Sequence, residues 1–457
     1  MAASTRVPAP GEARAPGPDL QQLLALDARA PEPALRAEAP RFLGDADIPY
    51  SNYTSPEFAR AEYEKLWPRV WQWACREEHI PQPGDYYVYD IGELSALVVR
   101  TETGAIKAFH NACMHRGTQL KQPGSCGYSE NLRCPFHGWI YSLDGALVEL
   151  PEAWDFPHVT HESHRLTELR VDTWGGFVFV NFDRGAAPLL EYLGVLPEHF
   201  REWGLEDRYV ETHVAKRLPC NWKAAAEAFL EAYHVKETHH GGAEGSEVTT
   251  QYDVFGEHVT RFIHTIGSQN PRMPQLSEQE LFDRLRRRGR LDGDALALPP
   301  GAKARDFYAD LMKRELGERY GRDLSRYSTS LTLDSIEYFL FPNMFLFPGL
   351  TLPMIYRFRP DPETPDYCTF DLLMLRPKPL DRPAPPPPEP MVLGVDDSYT
   401  LAKGLGILGA VYDQDTNNLA AQTRGFKASA KRGQTLGNYQ EVRARHLQQT
   451  VERYLAR

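Results

Sequence analysis

The chain contains no apolar run approaching the roughly 20 residues that cross a bilayer, and its start, MAASTRVPAPGEARAPGPD, lacks the apolar core of a secretory signal. Both absences make the cytoplasm the expected compartment. Cysteine is scarce: six in 457 residues, scattered, do not form a disulfide framework. Basic side chains are outnumbered, 51 against 62 acidic, and the net charge of −11 removes the electrostatic footing for a general nucleic-acid or anionic-membrane role. Nor is there a Gly-rich dinucleotide fingerprint.

What is present divides the chain into three parts. Residues 1–44 are rich in Ala and Pro and are expected to be largely disordered, apart from a short helical pattern from Asp19 able to dock on the body. Residues 45–185 open with Ser55 as an N-cap and Pro56 at the first helical position, followed by apolar residues at helical spacing as far as the PQPGD turn. The short β-rich runs YYVYDIG, LSALVVR and IKAFHNA then predict an antiparallel sheet, and RVDTWGGFVFVNFD a further strand pair. Residues 186–457 begin with β-like alternation, pass into a helix from Asn221 that Gly241 and Gly242 stop, and end in a helical region from Tyr412. Between them lie the aromatic strands from Ile336 to Phe358 and a stiff polyproline loop, Arg382–Pro390. The arginine run Arg284–Arg290 reads as a solvated helix face, a subunit contact, or a dock for an acidic electron donor.

The densest chemistry sits between Asn111 and Tyr141. Two thiols and two imidazoles, Cys113, His115, Cys134 and His137, occur as Cys-x-His and Cys-x-x-His. Zinc modules usually pair Cys with Cys and His with His. A Rieske centre, with two thiolates on one iron and two neutral histidines on the other, needs the interleaved order, because each half then gives one ligand to each iron. Gly117 and Gly138 follow the two pairs where the backbone must turn tightly, and Pro135 stiffens the second loop. The remaining cysteines, Cys75, Cys126, Cys220 and Cys368, read as small buried thiols, with Cys126 set apart by its place inside the loop between the pairs. A structural zinc site is the rival reading of the four ligands.

The motifs CMHRG and CPFHGW resemble those of the Rieske non-haem iron oxygenases, in particular the catalytic alpha subunits of the aromatic ring-hydroxylating group, and the resemblance extends from about Tyr50 to the C-terminus. Met114 stands where relatives often carry a polar or basic residue. The resemblance implies an α+β protein: a small antiparallel β Rieske domain holding the 2Fe–2S cluster, and a larger helix-grip (START-like) catalytic domain with an antiparallel sheet, helices and a mononuclear Fe(II).

For that second metal the residues alone are ambiguous. Glu231 and His234, three apart, share a helix face, but His234 and His239, five apart, diverge by roughly 140° on a regular helix, so a break between them is required. The segment NWK followed by AEAFLEAYHVKETH is similar to the family's iron-bearing helix, and that similarity makes His234 and His239 the histidine ligands, with His240 out of register. A facial triad also needs a carboxylate. In VYDQDTNNLAAQTRGFKAS, Asp415 has the family's distance to Arg424-Gly425, with Asp413 as the alternative. Asn221 is grouped with the catalytic residues, as is Glu231, which occupies the place of an Asp that links cluster and iron between neighbouring subunits by touching His137 and His234. The same Glu occurs among relatives that oxidise quaternary ammonium compounds.

The resemblance implies the terminal component of a multicomponent oxygenase, a homotrimer using dioxygen and electrons from NAD(P)H through a separate reductase, with or without a ferredoxin. The aromatic strands favour a small hydrophobic substrate, aromatic or polycyclic alicyclic. Two other readings remain open: a monooxygenase that dealkylates an amine or ether, and a Rieske electron-transfer or ligand-binding protein without oxygen chemistry.

Overall fold

The computed structural model describes residues 8–239, 247–289 and 296–457. His240, Gly241, Gly242 and Arg290 lie outside them. The fold is α+β, and five antiparallel or mixed sheets organise it.

The N-terminal half carries three small sheets. Asp85–Ile91, Leu94–Arg100 and Ile106–His110 form an antiparallel meander, extended at its other edge by Cys126–Tyr128. Leu132–Arg133, Ile140–Tyr141 and Leu147–Glu149 make the second. The third joins Arg170–Trp174 and Phe177–Asn181 to Gln72–Arg76.

This last strand corrects the expectation of one helix from Ser55 to His79. Ser55 does cap a helix, its hydroxyl accepting from Phe58 N at 3.2 Å, but the α-helix covers only Pro56–Ala61. Pro68, which has no N–H to donate, lies in a single tight turn, Trp67–Arg69. The buried run Gln72–Arg76 then gains more from pairing with Phe177–Val180 than from continuing as helix.

The C-terminal half is built on an eight-stranded sheet. Its spatial order is Gln251–Phe255, Val259–His264, Ser335–Leu340, Met344–Leu346, Met354–Pro360, Cys368–Pro377, Arg208–Leu218, Met391–Leu393; only the last pair is parallel. The helix Val442–Ala456 lies over this sheet, with Arg443 Nε 3.0 Å from Thr260 Oγ1 and Arg443 Nη2 2.9 Å from Glu337 Oε1. One continuous apolar core runs from Trp73 and Phe179 into Tyr356 and Phe370, so the third small sheet is packed against the large one. Arg357 sits at that seam, stacked 4.2 Å over the Trp73 ring and donating to the Trp73 carbonyl.

In the described part of residues 1–44 the helix Leu20–Leu24 and the chain after it lie against the body. Asp19 and Gln22 form a capping box on Leu20–Leu24, and Leu20, Leu24 and Leu35 are buried. Asp27 pairs with Arg305 at 2.8 Å, and Gln21 donates to Gln251 at 2.9 Å. A few leucines at helical spacing, set among Ala and Pro, suffice to dock the segment once a complementary surface exists.

Candidate metal centres

The first Cys/His loop follows Ile106–His110, the second joins the paired strands Leu132–Arg133 and Ile140–Tyr141 of another sheet, and both close with the same turn. Gly117 N–H donates to Cys113 O at 2.9 Å and Gly138 N–H to Cys134 O at 3.2 Å; both glycines have φ near +76°, at +77° and +75°, a region costly for any side chain. Asn111 pins the first loop at its neck, accepting from Leu120 N and Lys121 N and donating to Lys121 O at 2.8 Å. Cys113 and Cys134 are buried, whereas His137 is exposed and His115 half-buried. The thiols therefore sit inside and the imidazoles toward the surface.

The His115 ring lies parallel to buried Trp139, 5.0 Å between centroids, and 4.7 Å from the His137 ring. His115 Nδ1 is buried without a hydrogen-bond partner, an arrangement that costs free energy unless something binds it. Burial pushes the Cys113 thiol up, while the Tyr141 hydroxyl 3.3 Å away acts in the other direction. Two buried sulfurs beside two imidazoles nearer the surface, with the buried His115 Nδ1 orphaned, suit a Rieske 2Fe–2S cluster. Of the other cysteines, Cys75, Cys220 and Cys368 are buried as expected, and Cys126 is exposed.

The second centre depends on a broken helix. Asn221 caps Trp222–Glu227, its side-chain oxygen accepting from Lys223 N at 3.0 Å and its amide donating to Pro365 O at 3.2 Å. Both ends of Asn221 are thus committed to backbone, and it lines neither cavity at the triad; grouping it with the catalytic residues is not supported. After Glu227 the chain turns instead of continuing. Groups freed by the break find tertiary partners: Arg443 Nη1 donates to Leu230 O at 3.1 Å, and Ala232 N–H donates to Tyr252 Oη at 3.0 Å. A second short helix, Val235–Thr238, starts at His234 and ends at His239, and the two rings come within 5.6 Å.

Asp415 meets them from the helix Leu408–Asn417. Its Oδ1 lies 2.9 Å from His239 Nε2 and 3.4 Å from His234 Nε2, and one donor atom from each of the three residues falls within 4.8 Å of the others. The far nitrogens are both occupied: His234 Nδ1 is 2.6 Å from Glu231 Oε1, and His239 Nδ1 is 2.9 Å from Gln414 Oε1. Both Nε2 atoms therefore face the carboxylate, the orientation that outer carboxylates and amides impose on metal-binding imidazoles. Buried Asp415 Oδ1 has no hydrogen bond of proper geometry, which suits a carboxylate that would ligate a cation.

Burial pulls His234 down, but Asp415 and Glu231 more than offset it and hold the ring at about 10. Burial likewise acts upward on Asp415, and the two histidines prevail, leaving its carboxyl below the ordinary range. The charge and geometry of these three groups suit a divalent metal. Asp413, the alternative carboxylate, points elsewhere: two residues away on a helix it lies on the opposite side, accepting from Ser398 Oγ at 2.5 Å and Tyr399 N at 3.0 Å.

The triad opens on a cavity of ≈ 760 Å³ walled mainly by apolar groups, among them Phe229, Phe347, Met354, Tyr356 and Leu408. Three charged residues in this wall are not read as cavity residues from the sequence. Glu337 is buried; burial lifts its carboxyl to about 7 although Arg443 opposes this. It is the lone charge in SIEYFLF, a strand otherwise apolar and aromatic, and that isolation was the available signal. Arg284 and Arg287 belong to Glu278–Arg288, whose Leu281, Phe282 and Leu285 are buried, so the helix is not a wholly solvated face. Glu231, His234 and Asp415 also line a smaller cavity of ≈ 340 Å³ with Glu227 and Glu441.

Residues 200–457 match the ring hydroxylating alpha subunit (catalytic domain) family, and residues 70–160 the Rieske [2Fe-2S] domain. This chain belongs to the ring-hydroxylating alpha-subunit family. The family's cofactors are the Rieske cluster and a mononuclear iron. Among curated relatives, chlorobenzene dioxygenase subunit alpha of Cupriavidus sp. (strain PS12) is 35% identical over 195 residues, 41% of this chain and 43% of that protein. Chloroplastic choline monooxygenase of Beta vulgaris is 31% identical over 204 residues, 43% of this chain and 45% of that protein. The matched segment thus spans less than half the length of either relative. Solved structures share the fold along the chain: a quaternary ammonium Rieske monooxygenase has a TM-score of 0.62 at 17% identity, covering 89% of this chain and 95% of its own. A naphthalene 1,2-dioxygenase has 0.61 at 19%, covering 91% and 94%. No helix among the described residues is long and apolar enough to cross a membrane.

Proposed function

We propose that this alpha-subunit relative is the terminal oxygenase of a multicomponent system, with Cys113, His115, Cys134 and His137 holding the cluster and His234, His239 and Asp415 the mononuclear iron. When bound, the cluster supplies electrons singly and the iron activates dioxygen for hydroxylation of an apolar C–H or C=C bond. The observation that carries this reading is the triad's position in the wall of a large apolar cavity, where substrate can lie beside the open side of the site.

The chain's own groups do the remaining work. Glu231 and Gln414 fix the two imidazoles so that neither ring must reorient during turnover. The aromatic and aliphatic walls displace water and hold the substrate's reacting carbon near the triad. Tyr141 accepts from Met114 N–H at 3.0 Å, which leaves its own proton for Cys113 Sγ and lowers the charge density on that sulfur. With no dinucleotide fingerprint in the sequence, a separate reductase, with or without a ferredoxin, delivers the electrons. In a head-to-tail trimer, exposed His137 of one subunit would approach Glu231 of the next, and Glu231 would join cluster to iron.

Purified protein should contain about three irons and two acid-labile sulfides per chain, and with a surrogate reductase it should transfer label from ¹⁸O₂ into product. About two irons and no product would make it a Rieske electron carrier; colourless, sulfide-free protein would make it a zinc protein. A second enzymatic reading, monooxygenation of a quaternary amine or an ether, is supported by Glu231 and by the match to choline monooxygenase. Release of an aldehyde during turnover would select it.

A further inference from the structure

We propose that the substrate of this cavity carries an anionic group, a carboxylate or a group of like charge and shape, held at the cavity mouth by Arg284 and Arg287. This rests on the reading of the cavity as the oxygenase substrate site.

The cavity wall holds three carboxylates and two guanidinium groups. Each carboxylate has a nitrogen partner close by: Glu231 Oε1 lies 2.6 Å from His234 Nδ1, Asp415 Oδ1 2.9 Å from His239 Nε2, and Glu337 Oε1 2.9 Å from Arg443 Nη2, with Tyr356 Oη donating to Glu337 Oε2 at 3.3 Å. Among the described residues neither Arg284 nor Arg287 makes a hydrogen bond or a close ion pair. Of the acids on their own helix, Glu280, one turn from Arg284, interacts with it through charge without a hydrogen bond, its carboxylate accepting from Ser277 N and Oγ at 2.8 and 2.7 Å in a capping box, and Asp283 accepts from Gln279 at 2.9 Å.

Arg284 and Arg287 lie three apart and so share one side of the helix, next to the side where Leu281, Phe282 and Leu285 are buried. Both line the cavity, Arg287 exposed to solvent and Arg284 half-buried. Two like charges on adjacent turns repel each other, and a cation against apolar walls loses hydration, so the pair is satisfied by an anion entering from solvent. A guanidinium fork grips a carboxylate with two parallel hydrogen bonds, which would fix the orientation of an otherwise apolar body of the size that ≈ 760 Å³ admits.

The test measures binding to the iron-loaded holoenzyme by calorimetry, using naphthalene-2-carboxylate, decanoate and cholate, each beside its methyl ester, and trimethyl(naphthylmethyl)ammonium. At least one carboxylate should bind about ten-fold tighter than its ester, with an advantage that shrinks as salt is raised. In Arg287→Gln the preference should fall, and in the Arg284→Gln/Arg287→Gln double variant it should vanish. No measurable carboxylate binding, no preference over the esters, tighter binding of the ammonium ion, or a preference that survives in the double variant would each overturn the proposal. Turnover of esters with no preference would sink only this inference. Protein with two irons and no oxygenated product would sink the oxygenase reading, while the calorimetry would still report on the arginines.

Discussion

Glu231 grips His234 twice, accepting the His234 backbone N–H at 3.0 Å and lying 2.6 Å from the ring Nδ1. One carboxylate thus sets both the turn that begins the second short helix and the ring tautomer that turns Nε2 toward Asp415. Replacing Glu231 with Gln preserves the shape and removes the charge. Iron and sulfide content should persist, while product formation falls about 10- to 100-fold. Near-normal turnover, measured with saturating reductase, would remove Glu231 from the electron path.

Asp415 and Asp413 separate cleanly by substitution. Asp415→Ala should lose about one iron in three while the visible spectrum of the cluster stays intact, as read by metal analysis and absorption. Asp413→Ala should keep all iron and lose about 1 kcal/mol of stability, because it removes acceptors for Ser398 and Tyr399 N–H. Full iron in Asp415→Ala would move the ligand role elsewhere.

Tyr141→Phe removes a hydroxyl from Cys113 Sγ without opening a void. A hydrogen bond to sulfur favours the more electron-rich reduced cluster. The reduction potential should therefore fall, by roughly 40 mV if the bond is worth ~1 kcal/mol for one electron. An unchanged midpoint in a redox titration would exclude this tuning role.

Asn221→Ala should behave as the loss of a helix cap, lowering stability by about 1 kcal/mol with activity per folded molecule retained. Thermal unfolding and turnover assays read the two effects apart. A large loss of turnover with unaltered melting would restore Asn221 to the chemistry.

Glu227 provides a pH signature. Burial lifts its carboxyl to about 7, against the hydrogen bonds from Gln434, Gln448 and Tyr53. A raised pKa means that the folded state holds the proton more tightly than the unfolded chain. The stability this contributes is present below the ordinary Glu value and is lost as pH rises through about 7, a loss of order 3 kcal/mol. Denaturant midpoints of the wild type should therefore fall more between pH 5 and pH 8 than those of Glu227→Gln. Parallel pH profiles would show that Glu227 is ionised throughout.

What the sequence by itself determined about this protein is concentrated where chemistry follows short spacing. The interleaved cysteines and histidines lie within two loops, and the left-handed glycines closing them are needed by the local backbone whatever surrounds it. The strands Asp85–Ile91 to Ile106–His110 were legible for the same reason, since alternation and turn residues act over a few neighbours. The tertiary structure decided the rest. No regular helical periodicity brings His234 and His239 together; they cap the two ends of Val235–Thr238, after a break upstream of His234 whose freed backbone groups, Leu230 O and Ala232 N–H, are satisfied by Arg443 and Tyr252, distant in sequence. Asp415 was separated from Asp413 by which side of its helix faces the triad, and Arg284 and Arg287 became cavity wall through the packing of Leu281, Phe282 and Leu285. Local spacing fixes which groups can act; only long-range packing fixes what they face.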